Sequence, residues 1–190
     1  MNIRVRFSKH GCLKFIGHLD VMRYFQKAMR RAEIDMCYSE GFSPHMIMSF
    51  ASPLGLGLES DGEYMDISVK QSPSSKEAVE RLNAVMAEGI EVLSWRELPE
   101  NSKNAMASVA GADYEVRFRE GYELEEGWEK KLEKFLALPE IRIMKETKKG
   151  EQEVDIRPWV YDYHIKDQTI FLKVSAGSVH NLKPELLLKA

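Results

Sequence analysis

Residues 3–34, IRVRFSKHGCLKFIGHLDVMRYFQKAMRRAEI, carry the patterns of a first strand and a first helix. The opening IRVRF alternates apolar and basic residues, which predicts a half-buried strand over residues 3–7. Residues 19–34 place apolar side chains three or four positions apart, which is the spacing of an amphipathic helix. The inward positions predicted for this helix are Leu19, Met22, Phe25, Ala28, Met29 and Ala32.

The pattern continues to residue 98 and completes a fold. An interrupted strand is predicted over residues 38–52, and alternation predicts two more strands, over residues 63–69 and 91–98. A helix is predicted from the serines after residue 71 to Gly89, because serine caps a helix start and glycine ends a helix. The order strand, helix, strand, strand, helix, strand is that of the ferredoxin-like split βαβ fold. We therefore expect residues 1–100 to form a ferredoxin-like α+β domain.

The rest of the chain has a weaker pattern. Residues 101–108 are small and polar, which is typical of a linker. The elements predicted after it are a strand over 114–119, a helix over 124–138, a hairpin whose strands 141–147 and 153–156 flank a turn at KKGE (148–151), a strand over 169–175 and a helix from Pro184. We expect residues 109–190 to form a second, irregular α+β half, a candidate degenerate repeat of the first that the chain end cuts short.

Composition excludes several classes of protein. A chain of 190 residues with 44% hydrophobic content can bury a core. The start MNIRVRFSKHG lacks the apolar segment of a signal peptide, and no apolar run could span a bilayer, so we expect a cytoplasmic protein without membrane partners. Cys12 and Cys37 lack the close pairing of a zinc site and the CxxxCxxC motif of an iron–sulfur cluster. We therefore expect reduced thiols, no metal and no cofactor.

Charge is distributed unevenly along the chain. The net charge is −3, but residues 1–50 carry eight Lys or Arg against four Asp or Glu, so they hold +4 and the remainder holds −7. This asymmetry indicates a positive surface in the N-terminal part of the protein.

Four cations, Arg23, Lys27, Arg30 and Arg31, lie on the predicted helix at i, i+4, i+7 and i+8. They fall on the side away from the apolar residues, and acidic residues that could neutralise them four positions away are scarce. Like charges at this spacing destabilise a helix, so helix stability does not explain them. A solvated surface is the simpler interpretation, and a phosphate-binding stripe is the functional one.

A bend is predicted within residues 38–50, YSEGFSPHMIMSF, because a glycine and a proline interrupt an apolar run. Its Phe42 and His45 could stack on unpaired nucleic-acid bases. The structural alternative places Phe42 in the core and leaves His45 solvated or capping a turn.

A second hypothesis concerns chemistry at His18, Asp20 and His45, with His10 as a further candidate. Two histidines and an aspartate could hold a divalent metal or perform acid–base catalysis if the chain folds back on itself. The sequence has no HxxxH or HExxH spacing to support this hypothesis.

Two more segments suggest functions that their patterns do not support. The loop PLGLGL, residues 53–58, has a GxG but lacks a third glycine, and it leads into a strand, so it is not a nucleotide-binding loop. Its bare backbone could still approach phosphates beside an RNA-binding surface. In DIRPW, residues 155–159, an exposed ion pair between Asp155 and Arg157 is the expected arrangement.

These segments together resemble a known family. GCLKFIGHLDVMRYFQKAMRRAEI (11–34) and YSEGFSPHMIMSFASPLGLGLESDGEYMDI (38–67) are similar to the radical-SAM-linked family, a domain of unknown function (number 2344), and VDIRP and KPELLL match it more loosely. Met46 departs from it, since a second proline follows the histidine in the family pattern. The matching residues are Gly17, His18, Leu19, Asp20, Arg30, Arg31, Tyr38, Gly41, Phe42, Pro44, His45, Gly62, Glu63, Tyr64 and Asp66.

The resemblance implies a partner rather than a reaction. Members occur beside a radical-SAM protein or fused to its C-terminus, often encoded near an RNase E/G-type ribonuclease, and their activity is not established. Because this chain lacks CxxxCxxC, it is expected to be the accessory part, without independent catalytic activity. The leading hypothesis is an RNA-binding module in RNA modification or processing. Two alternatives stay open: an RNA-processing enzyme that uses His18, Asp20 and His45, and a protein-interaction module that docks the radical-SAM partner through an apolar patch.

Overall fold

The computed structural model describes residues 1–122, 124–147 and 150–190. It is a mixed α+β structure with antiparallel sheets, and it divides into an N-terminal unit, Met1–Ser108, and a C-terminal unit, Val109–Ala190. The elements of the N-terminal unit are β1 (Asn2–Lys9), α1 (His18–Arg31), β2 (Met48–Phe50), β3 (Ser60–Ser68), α2 (Ser75–Asn83), β4 (Ile90–Glu97) and α3 (Ala105–Ser108).

One four-stranded sheet organises the N-terminal unit. Its strand order is β2-β3-β1-β4, and every neighbouring pair is antiparallel. Alternation in β1 buries Ile3, Val5 and Phe7 on the same face of the sheet. The Phe7 ring lies 4.7 Å from the ring of Phe25 in α1, so α1 packs on this apolar face.

The inward face of α1 differs from the predicted one at its first turn. Leu19, predicted to be inward, is 60% exposed, whereas Val21 is buried. Phe25 is fully buried, and Leu19 lies six residues before it, which at 100° per residue places it about 120° around the helix. Val21 is one turn before Phe25 and therefore takes the inward position.

The end of α1 comes three residues earlier than predicted. The N–H of Ile34 donates to the carbonyl of Met29 at 3.0 Å, and that of Glu33 donates to Arg30 at 3.2 Å. These two bonds form a Schellman motif, which requires a left-handed residue after the helix. Glu33 fills that position with φ 54°, and Ile34 is buried behind it.

Helix α2 begins as predicted but is shorter. The side chain of Ser74 accepts a hydrogen bond from the N–H of Glu77, which is the predicted serine cap. The helix ends at Asn83, not at Gly89. Gly89 instead has φ +98° in the turn before β4, where a Cβ would lie 2.7 Å from the carbonyl oxygen of His10. This close approach explains why residue 89 is a glycine, whereas helix termination does not.

The segment predicted as a linker, residues 101–108, is anchored to the N-terminal unit. It contains α3, and its buried Ala105 donates its N–H to the Asp66 carboxylate at 2.6 Å. The same carboxylate accepts two hydrogen bonds from Arg4, at 2.8 and 3.0 Å.

On the other side of the sheet, Trp95 of β4 is buried, and its indole N–H donates to Ser72 at 3.0 Å.

The C-terminal unit has its own core and a different sheet. Its elements are β5 (Gly111–Arg117), α4 (Trp128–Leu136), β6 (Arg142–Thr147), β7 (Gly150–Asp155), β8 (Val160–Lys166), β9 (Thr169–Ser175) and α5 (Pro184–Lys189). Strands β5, β9 and β8 form a three-stranded sheet, and β6 pairs with β7 as predicted. In the predicted turn between them, Lys148 and Lys149 lie outside the described residues. Strand β8 was not predicted.

A helix that crosses a membrane needs about 20 predominantly apolar residues. α1 has 14 residues. Within the described ranges, no helix combines the length and apolar character needed to cross a membrane.

Candidate functional site

The predicted cationic stripe, Arg23, Lys27, Arg30 and Arg31, is exposed along α1. Helical geometry places Arg23, Lys27 and Arg30 within about 40° of the direction opposite Phe25. Asp20 lies in the first turn of α1 and accepts a hydrogen bond from Arg23 at 3.3 Å. In the part of the chain that the structure describes, Lys27, Arg30 and Arg31 form no ion pair with a carboxylate.

Two of the four cations in this stripe are favoured by their position near the C-terminal end of α1. Arg30 and Arg31 occupy the last turn of α1, where cations interact favourably with the negative end of the helix dipole. Lys27 lies a turn earlier and gains little from that effect. Its exposure beside three other cations is the feature that local helix stability leaves unexplained.

The predicted bend is the tip of a small hairpin over residues 37–47. Tyr38 forms a bridge with Met46, and the N–H of Ile47 donates to the carbonyl of Cys37 at 3.0 Å. The expected interrupted strand is therefore this hairpin followed by the short β2. Gly41 has φ +107°, a conformation that glycine adopts without steric cost, so it is suited to the tip.

This hairpin presents an aromatic side chain to solvent. Phe42 is fully exposed, so the structural alternative that placed it in the core is wrong. His45 is also exposed, and its Nδ1 lies 2.8 Å from the hydroxyl oxygen of Ser39. That contact fixes the ring of His45 within the 37–47 hairpin.

The histidines of the catalytic hypothesis have different neighbours. The ring of His18 packs edge-on against Phe50 at 5.1 Å, while Asp20 contacts Arg23. His10 lies 3.1 Å from the carboxylate of Asp61. Among the described residues, no hydrogen bond, ion pair or ring contact joins His18, Asp20 and His45.

In residues 1–122, 124–147 and 150–190, no three His, Cys, Asp or Glu side chains are grouped so that they could hold a metal ion. Cys12 and Cys37 are free thiols.

A small pocket at the N-terminal end of α1 brings together charged residues that the sequence analysis did not combine. Lys9, the last residue of β1, is only 1% exposed, and Glu63 of β3 lies beside it. His18, the first residue of α1, also lines the pocket. The complete lining is Phe7, Lys9, His18, Val21, Phe50, Ser52, Leu54 and Glu63. We call it the Lys9 pocket.

Burial shifts the pKa of both charged residues in the Lys9 pocket. The Lys9 ammonium donates to the carbonyls of Ile16 at 3.1 Å and Lys14 at 3.4 Å. Burial lowers its pKa, and the nearby Glu63 charge opposes that shift. Burial likewise raises the pKa of Glu63, opposed by a hydrogen bond from Ser60 and by the Lys9 charge. Pairs of titratable groups with shifted pKa values are enriched at functional sites.

The glycine loop lies next to the turn that Lys9 holds. The N–H of Gly57 donates to the carbonyl of Lys14 at 2.8 Å, and Gly57 has φ +82°. Leu56 and Phe15 are exposed, at 67% and 62%, in these two segments. The loop therefore adds apolar surface near the Lys9 pocket.

Comparison with protein families identifies the chain. A family described as "Uncharacterized protein conserved in bacteria (DUF2344)" matches residues 2–184. The chain belongs to this family. The match confirms the DUF2344 part of the resemblance, and the link to a radical-SAM protein stays a prediction. A comparison with curated proteins gives no match.

The Lys9 pocket of this DUF2344 protein could have been anticipated from strand alternation. Lys9 continues the inward series Ile3, Val5 and Phe7, and Glu63 precedes the inward Met65 by two positions. A charged residue at an inward strand position must find a partner or remain near water. That signal was present in the sequence, but the pairing of β1 with β3 was needed to join the two residues.

The DIRPW segment of the DUF2344 protein has a structural role. Asp155 accepts hydrogen bonds from the N–H groups of Ile141 at 2.8 Å and Arg157 at 3.0 Å, which lowers its pKa. The Arg157 guanidinium donates to the carbonyl of Val160 at 3.0 Å. The expected ion pair is replaced by side-chain to backbone bonds that hold the turn between β7 and β8.

Proposed function

We propose that this DUF2344 protein is an RNA-binding accessory module and that single-stranded RNA lies along the exposed face of α1. The observation that carries the proposal is the set of exposed cations Lys27, Arg30 and Arg31, none of which has a carboxylate partner within the described residues. Such a surface attracts a phosphate backbone and releases its counterions on binding. It also speeds encounter with a polyanion.

The 37–47 hairpin supplies the contacts that phosphate binding alone lacks. It begins six residues after Arg31, and its tip holds Phe42 fully in solvent. An exposed aromatic ring that follows a basic helix closely in the chain suits stacking with an unpaired base, because every base has a flat face that can stack. His45, whose ring is held by Ser39, would contact a base or ribose beside Phe42.

The arrangement of the N-terminal unit supports a ferredoxin-like fold as part of this proposal. Its element order matches the split βαβ pattern, and the strand order β2-β3-β1-β4 is fully antiparallel. The C-terminal unit begins with strand, helix, strand and strand, which is the observation that supports a degenerate repeat.

A radical-SAM partner is the second part of the proposal, and it rests on the resemblance in residues 11–34 and 38–67. The chain would contribute RNA recognition to an enzyme that holds the iron–sulfur cluster. Co-purification of the two proteins after nuclease treatment would support a direct contact. If nuclease treatment abolishes the co-purification, RNA is the only link between the two proteins.

A salt titration tests the RNA-binding surface. Fluorescence anisotropy with a labelled single-stranded RNA should give an affinity that falls steeply with salt. In the triple variant Lys27→Ala/Arg30→Ala/Arg31→Ala, the slope of log affinity against log salt should decrease by about 2, since each contact with a single strand contributes about 0.7. The matched control is Lys76→Ala/Arg81→Ala on α2, where the cations pair with Glu80 and Glu77.

The aromatic contact is tested in the same assay. Phe42→Ala should weaken binding by about 1–3 kcal/mol without changing the salt slope, because stacking involves no counterion. Tyr122→Ala removes an exposed aromatic from the C-terminal unit and should have no effect. The proposal fails if no RNA binds at low salt, if binding does not depend on salt, or if the α2 control loses as much affinity as the triple variant.

A further inference from the structure

We propose that the Lys9 pocket receives a ribose 2′-hydroxyl of the bound strand and thereby distinguishes RNA from DNA. This inference rests on the proposed RNA-binding function and adds a specificity-determining site to it. Three features support it: the size of the pocket, the hydrogen-bonding groups that line it and its place at the N-terminal end of the helix that carries the cationic stripe.

The size of the pocket admits one small group. The free space at its centre is about 10 Å³, which is the space that a single water-sized group needs. A phosphate or a whole base is too large to enter. A hydroxyl has the volume of a water molecule, so it fits where those larger groups do not.

The hydrogen-bonding groups of the pocket match a hydroxyl. An ammonium has three donors, and Lys9 uses two of them on the carbonyls of Lys14 and Ile16, so one remains. One oxygen of Glu63 accepts a hydrogen bond from Ser60, and no described residue donates to its other oxygen. A hydroxyl can accept from the ammonium and donate to the carboxylate at once.

The walls of the pocket exclude other occupants. Phe7, Val21 and Phe50 provide apolar surface that is unfavourable for a charged group. The carboxylate of Glu63 repels phosphate, and the ammonium of Lys9 repels a cation. A neutral group that is both donor and acceptor satisfies both charges. The 2′-hydroxyl has this character and is the group that separates RNA from DNA.

The pocket also lies at the N-terminal end of the helix that carries the cationic stripe, on the side of that helix that faces the sheet. His18, which lines it, is the first residue of α1, and Arg23 follows five residues later, about 7.5 Å along the helix axis. His18 lies about 20° around the helix from the buried Phe25, whereas the cationic stripe lies on the opposite side. A strand bound along the stripe would therefore have to pass around the N-terminal end of α1 to bring a sugar to the pocket. Leu19, Leu56 and Phe15 supply exposed apolar surface in the neighbouring segments for the flat faces of sugar and base.

The simpler occupant of such a pocket is a water molecule held by Lys9 and Glu63. The experiment separates the two by changing the ligand and leaving the protein intact. Three labelled oligonucleotides of one sequence are compared by fluorescence anisotropy: RNA, 2′-fluoro RNA and DNA. The 2′-fluoro strand keeps an RNA-like sugar and lacks the hydroxyl donor, so it separates hydrogen bonding from strand shape.

The wild-type protein should bind RNA about tenfold more tightly than either 2′-fluoro RNA or DNA, the effect expected when a hydrogen bond to a charged group is lost. Equal affinity for RNA and 2′-fluoro RNA overturns the inference and leaves the proposed function standing, since all three strands then bind through phosphates. If none of the three binds at low salt, the proposed function is overturned and the inference with it.

A variant of the protein provides a second test of the proposed hydroxyl site. Glu63→Gln keeps the side-chain volume and removes the charged acceptor, so the preference for RNA over 2′-fluoro RNA should fall to about threefold or less. Glu91→Gln, at an exposed position on β4, is the matched control and should keep the tenfold preference. Retention of the full preference in a Glu63→Gln protein with a native circular dichroism spectrum also overturns the inference. If this variant does not fold, the comparison of ligands on the wild type decides.

Discussion

Phe25 is the residue at the centre of the packing between α1 and the sheet. Its ring lies 4.7 Å from the ring of Phe7 and 5.9 Å from that of Phe50, and edge-on contacts join all three. Leu19 is apolar too, but its position on the helix directs it to solvent. An apolar side chain of α1 thus belongs to the core or to the surface according to its angular position on the helix.

Phe25→Ala should therefore lower the free energy of unfolding by about 3–5 kcal/mol, because it leaves a cavity that the surrounding rings cannot fill. Leu19→Ala should change it by less than about 0.5 kcal/mol, since exposed positions contribute little. Urea unfolding followed by circular dichroism measures both values. A similar loss in the two variants would contradict the assigned inward face.

Glu63 makes stability depend on pH in a direction that is set by its burial. Its pKa in the folded state is raised, so the folded protein binds this proton more tightly than the unfolded chain. Stability from this group is present below the unfolded pKa and is lost as pH rises through the folded pKa. Lys9 and His18 are the other titratable groups that line the pocket.

Glu63→Gln should accordingly gain stability relative to wild type as the pH is raised from about 4 towards 8, a range that starts near the ordinary pKa of a glutamate. Urea unfolding at several pH values measures the difference, with Glu91→Gln as control. A difference between Glu63→Gln and wild type that stays constant over this range would show that Glu63 titrates alike in the folded and unfolded states.

At the scale of elements, prediction from sequence succeeded where alternation was long and failed where turns decided the geometry. β1, β3 and β9 have one buried face, and their alternation was sufficient to find them. β8 is bounded by a 3-10 turn and a tight hairpin, and only Val160 in it is buried. The 37–47 hairpin was missed because its backbone bonds depend on Gly41 and not on apolar spacing.

The end of α1 provides the prediction at this scale. Glu33 holds the left-handed position of the Schellman motif, which costs a residue with a Cβ about 1 kcal/mol relative to glycine. Glu33→Gly should raise the free energy of unfolding by about 0.5–1 kcal/mol, and Glu33→Ala should not. Urea unfolding tests this pair. A stabilising Glu33→Ala would mean that the charge, not the backbone, is the unfavourable feature.

At the scale of the whole molecule, the candidate sites differ in how far sequence could reveal them. The cationic stripe lies on one helix, so its spacing was readable directly. The Lys9 pocket joins β1, β3 and the first turn of α1, and it exists only because the antiparallel register brings Phe7 opposite Glu63. Alternation within each strand marks Lys9 and Glu63 as inward, but the pairing of two strands distant in the sequence leaves no local pattern.

The boundary of the N-terminal unit is a further property at this scale. A fragment of residues 1–108 should fold cooperatively, whereas a fragment of residues 1–100 should be less stable by about 1–3 kcal/mol. The shorter fragment loses the hydrogen bond from Ala105 to Asp66 and leaves that carboxylate with a donor missing. Chemical denaturation of the two fragments provides the measurement. Equal stability would show that the anchored segment does not contribute to this unit.

The placement of the three tryptophans has a practical consequence for these measurements. Trp95 is buried in the N-terminal unit, and Trp128 and Trp159 belong to the C-terminal unit. Replacing Trp128 and Trp159 by phenylalanine leaves one intrinsic fluorophore, whose emission should shift to longer wavelength as Trp95 meets water on unfolding. Replacing Trp95 alone reports the other unit. Comparison of the two unfolding curves then shows whether the two units unfold together or separately, without any external label.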